Sequence, residues 1–106
     1  MKVYEVNNPF DYIYAIRDKR GMLFDTSKTL RQIDCYIIGF IMGRTLASLG
    51  LDEMTIKFNN GFREFVAKKY NTSIEKTWYE IIETHNSSQS DSFDAFYELI
   101  DEFFIK

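Results

Sequence analysis

Apolar positions along this chain recur mostly every three or four residues, the spacing of helices with one covered face. Asn8 is a good N-cap, and Pro9 suits the first helical position, where its missing N–H costs nothing. A first helix therefore begins at Asn8. Phe10, Ile13 and Ile16, joined by Tyr14, form its stripe; Arg17, Lys19 and Arg20 suit the negative end of its dipole, and Gly21 stops it. The second helix spans 27–49 and ends at Gly50. It carries two stripes, one of Leu30, Ile33, Ile37, Phe40 and Ile41 and one of Ile38, Met42, Leu46 and Leu49. A helix apolar on two sides is expected to be the central one, covered from both. Gly39 and Gly43, four apart, read as close packing against another helix.

After a turn at 59–61, Phe62, Phe65, Val66 and Tyr70 mark a short third helix. The fourth opens at a capping box, Thr72-Ser73-Ile74-Glu75, and its stripe is Ile74, Trp78, Ile81 and Ile82, extended by His85. A polar loop over 86–90 leads to a fifth helix at 91–104. On a wheel at about 100° per residue, Phe93, Phe96, Tyr97, Leu99, Ile100, Phe103 and Phe104 fill an arc of roughly 160°. Asp91, Asp94, Glu98, Asp101 and Glu102 fill the opposite arc. Two β-like pieces, 2–6 and 54–58, have no partner except each other, which leaves room for one minor two-stranded element. The fold class is thus mostly all-α: about five helices packed around the long second one, in a single domain over 1–106.

Composition adjusts this picture in three places. With 106 residues there is material for one core, and ten Phe, seven Tyr and one Trp supply large buried areas to fill it. No apolar run approaches the length that crosses a bilayer, the N-terminus lacks an apolar signal region, and Cys35 is the single cysteine. A cytoplasmic protein without disulfides is the expectation, with Cys35 buried and inert in its apolar helix. Charge is unevenly spread. Residues 1–70 carry eleven Lys/Arg against eight acids, net +3, whereas residues 71–106 carry two against eight, net −6.

The chemistry-bearing residues are few. His85 is the one histidine, and without a second His or Cys at ligand spacing it makes no zinc site; no nucleophile stands out to pair with it. Phosphate-cradling glycine loops and calcium loops are missing from the sequence. The expectation is a non-enzyme without cofactor or metal and without a small-molecule substrate. Two surfaces invite a partner. Lys57, Arg63, Lys68 and Lys69, interleaved with aromatics, would suit RNA, but Phe62, Phe65 and Tyr70 share one helical face and read as core. The acidic face of the fifth helix (Asp91, Asp94, Glu98, Asp101, Glu102) reads on charge alone as a solvated outer face that keeps the domain soluble; as a docking surface it would suit a basic protein, since complementary charge speeds and orients encounter.

Four segments in order carry a resemblance. These are Arg17-Asp18-Lys19-Arg20-Gly21-Met22; Ser27-Lys28-Thr29-Leu30 leading into Ile37-Ile38-Gly39-Phe40; Phe62, Phe65, Val66 and Tyr70; and Trp78, Ile81 and Ile82 followed by Phe93, Phe96, Tyr97, Leu99, Asp101, Glu102 and Phe103. The pattern, over about 10–104, resembles small bacterial immunity proteins of polymorphic toxin systems, including contact-dependent growth inhibition. Many such relatives carry a proline before the Gly-Met pair, where this chain has Arg20, and a glycine turn where it has Phe24-Asp25. What the resemblance implies is binding: such proteins occupy the active site of a cognate protein toxin, very often a nuclease, in the cell that makes them. It implies neither direct nucleic-acid binding nor a membrane. A small RNA-associated module and an adaptor unrelated to any toxin are the alternatives.

Overall fold

A computed structural model describes residues 8–15, 17 and 30–105, and among these the chain is all-α. The helices are α1 (Pro9–Ala15), α2 (Leu30–Leu46), α3 (Glu53–Lys69), α4 (Trp78–Thr84) and α5 (Gln89–Ile105). α1 starts as its sequence asks: the Asn8 side-chain oxygen accepts from the Phe10 N–H at 2.8 Å, with Pro9 in the first helical position. The amide of Asn8 in turn reaches the Met54 sulfur, tying this cap to the start of α3. Arg17 sits in a turn beyond α1. The expected stop at Gly21, the start of the second helix at Ser27 and the strand at 2–6 fall outside the described residues.

The expected turn at 59–61 and strand at 54–58 are corrected: both lie inside α3. Asp52 caps this helix, accepting from the Thr55 N–H at 2.9 Å and from its hydroxyl at 2.6 Å. From there Phe58, Phe62 and Val66 continue one buried row at four-residue spacing. Gly61 costs about 1 kcal/mol of helix propensity, and the buried row outweighs it. The bare Cα of Gly61 also faces the Phe103 ring, which an added Cβ would meet at 3.7 Å.

Correction is needed at α4 too. Its cap is Thr77, whose hydroxyl accepts from the Glu80 N–H, well beyond the expected Thr72. Thr72 instead closes the end of α3. Its N–H reaches back to the Ala67 carbonyl at 2.9 Å, while Asn71 takes the left-handed conformation at φ 53°. Ile74 consequently lies exposed in the loop, whereas Trp78, Ile81 and Ile82 are buried as expected. α2 ends the same way, with Ser48 left-handed and the Leu49 N–H bonded to the Arg44 carbonyl, so it stops before Gly50.

The helix at the middle of the core is α5, which buries seven residues and packs against α2, α3 and α4. Phe62 is surrounded by rings: Phe58 at 4.5 Å, Phe103 at 5.3 Å, Trp78 at 5.4 Å and Phe96 at 6.2 Å. Trp78 stacks on Phe96 at 5.1 Å. α1 closes one end, with Phe10 against Phe58 and Phe104. α2 does not hold the central place expected of it. Leu30, Ile33 and Ile37 are buried, but its other stripe faces outward: Ile38 is 46%, Met42 57%, Leu49 52% and Leu46 83% exposed. Cys35 lies on this outer side and is exposed, which corrects its expected burial.

Candidate partner-binding face

The acidic face of α5 is continuous in sequence but divides in two in space. Asp101 and Glu102 are half-buried and neutralised. Asp101 meets the Arg17 guanidinium at 3.1 Å, and Glu102 receives the Lys69 ammonium on both carboxylate oxygens at 3.0 Å. Around Asp101 a small cluster forms, with Arg17 also over the Tyr97 ring at 5.1 Å. Burial, and then the hydrogen bond to the Asp101 carboxylate, pushes the Tyr14 hydroxyl up to about 12. Tyr97 completes the link between α1 and α5 by donating from its hydroxyl to the Ile13 carbonyl at 2.8 Å. These two acids link the turn after α1 and the end of α3 to α5 through partly exposed ion pairs.

Asp91, Asp94 and Glu98 are exposed. Asp91 accepts from the Ser87 hydroxyl at 2.8 Å, which orders the first turn of α5 where a carboxylate also suits the helix dipole. Glu98 borders a shallow cleft of about 270 Å³ between α3 and α5, with Lys69, Tyr70 and Leu99 among its walls. Because the side of α5 opposite these acids is wholly committed to the core, they stand on a rigid support.

The basic segment fares differently. The Lys57 ammonium donates to the Phe103 carbonyl at 2.9 Å, capping the C-terminal end of α5, and lies 5.0 Å over the Phe103 ring. Lys69 is bound to Glu102. Phe62 is buried, and Phe65 and Tyr70 pack against the core as expected of them. Two of the four cations named for RNA are thus engaged within the fold, leaving Arg63 and Lys68 exposed on α3.

One polar feature escapes sequence reading. The Trp78 indole N–H donates to Asp34 at 2.9 Å, beside a cleft of about 210 Å³ also lined by Asn59, Arg63 and Thr77. Burial raises the Asp34 carboxyl above its ordinary value, with the indole hydrogen bond opposing. Nothing in the spacing of α2 announces this pairing, because its partner lies 44 residues away. A wider depression, about 660 Å³, lies between α2 and α4 and is bordered by Arg31, Tyr79, Glu80 and Glu83. There burial, aided by the Glu80 charge, raises Glu83.

His85 caps the C-terminus of α4, stacks on Tyr70 at 4.6 Å, and places Nδ1 2.8 Å from the Ile81 carbonyl. That carbonyl only accepts, so Nδ1 carries the proton. Among the described residues no group of three or more His, Cys, Asp and Glu is placed to hold a metal, and no helix is long and apolar enough to cross a membrane. In comparisons with known proteins the chain matches no family model, no curated protein and no solved structure.

Proposed function

We propose that this protein is an immunity protein, which binds a cognate toxin domain and blocks its active site rather than performing chemistry of its own. The observation that carries the reading is the exposed acidic row Asp91, Asp94 and Glu98 on a helix whose other side is locked in the core. A row of fixed carboxylates complements the basic cleft with which a nuclease holds phosphates, and charge complementarity of this kind favours fast, oriented encounter. The sequence resemblance points the same way. The protein acts in the cytoplasm of the cell that makes the toxin, without cofactor and without contacting nucleic acid itself.

The packing around α5 guides the choice of residues to test. Asp101 and Glu102 are paired with Arg17 and Lys69, so changing them alters contacts within the fold as well as any contact with a partner. Asp94 and Glu98 are the residues to change. The test is protection of cells that express the cognate toxin domain, to be sought as the C-terminal domain of a large secreted protein encoded next to this chain. Wild-type protein should restore growth, and His85→Ala and Cys35→Ser should do so equally. Asp94→Lys with Glu98→Lys should fail while remaining folded. Growth restored equally by that double variant would remove the acidic row from the interface. A salt-sensitive shift of purified RNA by the protein, lost on changing Arg63 and Lys68, would support the RNA-associated alternative instead.

A further inference from the structure

The outer side of α2 is an apolar surface that the core does not use. On a wheel with Cys35 at zero, Ile38 and Met42 fall at about 300° and 340°, Leu46 at about 20°, and Gly39 and Gly43 at about 40° and 80°. The buried residues Leu30, Ile33 and Ile37 fall on the opposite side. The stripe is therefore sorted across its width: large side chains on one flank, glycines on the other, Cys35 and Leu46 along the middle. An added Cβ at Gly39 or Gly43 would meet nothing within 4 Å. Among the described residues nothing packs on either glycine, and each weakens a helix interior.

We propose that this face is a homodimer interface, in which α2 packs antiparallel against α2 of a second copy. The sorting of the stripe selects that occupant. A two-fold axis perpendicular to two antiparallel helices sets like flank against like flank, and the contact is isologous. The glycine flanks then meet, Gly39 opposite Gly43 of the second copy, and the backbones come close. On the other flank Ile38 and Met42 interdigitate with their equivalents. Cys35 falls beside Leu46 of the second copy. A 17-residue helix is about 25 Å long, so such a contact covers on the order of 500 Å² per copy, about 1,000 Å² in all, the lower bound for a specific interface. The dimer is accordingly concentration-dependent. Its surface is separate from the acidic row of α5, so it stands or falls independently of the toxin reading.

The test is sedimentation equilibrium of the full chain from roughly 1 to 300 μM, the range in which an interface of this size associates. The mass should climb from 12.6 kDa toward twice that value. Met42→Glu should weaken association at least tenfold while leaving the Tm unchanged in dilute solution, where both proteins are monomeric, because that side chain is exposed in the single copy. The variant Leu46→Cys, oxidised at high concentration, should join Cys35 of one copy to the thiol introduced in the other. Peptide mapping of that intermolecular disulfide fixes the antiparallel arrangement. A mass of 12.6 kDa throughout, or a dimer unaffected by Met42→Glu, would overturn the proposal. So would a Cys35–Cys35 disulfide as the main product, which reports parallel helices, or stable capture of a different protein on this face by the monomer.

Discussion

At the scale of single residues, Trp78 joins the apolar core to a polar contact. Its rings lie against Phe58, Phe62 and Phe96, and its N–H is bound to Asp34. Trp78→Ala and Phe96→Ala should each cost about 3–5 kcal/mol, enough to lower the Tm by more than ~10 °C in thermal unfolding. Asp34 is held above its ordinary value mainly by desolvation, and the sign of its contribution follows. A carboxyl whose value is raised on folding loses stability for the folded state as it ionises, and restores it as pH falls through the folded value. Asp34→Asn keeps an acceptor for the indole and removes the charge. It should therefore be more stable than wild type at neutral pH, with the advantage vanishing as pH falls below the ordinary value of 3.8. Denaturant midpoints across that window check this; lower stability for the Asn variant at neutral pH would contradict it.

Among the elements, caps and apolar periods were legible in proportion to how local their causes are. The Asn8-Pro9 start, the Trp78-Ile81-Ile82 face and the aromatic side of α5 follow from neighbours in sequence, and all are found. The helix through residues 59–61 was not legible, because Asn-Asn-Gly is a local turn signal that a distant partner overrides. The Phe58–Phe62 row and the Phe103 ring beside Gly61 supply that partner. The cap of α4 misled for a similar reason: Thr72 is used to end α3. In α2 the pattern was read correctly as two-sided, but periodicity does not say whether another element is present to cover the second side. That helix yields a clean expectation. In dilute solution, where the chain is monomeric, Gly39→Ala and Gly43→Ala should each raise stability by about 0.5–1 kcal/mol, because propensity improves and no described residue is displaced. Chemical denaturation measures it, and destabilisation would mean that the monomer packs something there.

For the whole molecule, the uneven charge visible in the sequence has two structural fates. Part of the basic body is consumed by the acidic third: Arg17 with Asp101, Lys69 with Glu102, and Lys57 with the Phe103 carbonyl near the end of α5. These contacts fasten α3 and the turn after α1 to the final helix. The row of five acids was legible from its spacing, but its division into two structural and three exposed residues required the positions of Arg17 and Lys69. What remains outward is Asp91, Asp94 and Glu98, and on that remainder the functional reading depends. The decisive quantity is the association rate between this protein and the cognate toxin domain that the proposed function requires, measured by stopped flow at low and at physiological ionic strength. With wild-type protein the rate should fall steeply as salt rises, since exposed charges are screened beyond a Debye length of about 8 Å at physiological ionic strength. With Asp94→Lys and Glu98→Lys together it should drop at least tenfold at low salt and lose most of its salt dependence. Equal rates for the two proteins at every salt concentration would contradict the reading of this face as the one that meets the toxin.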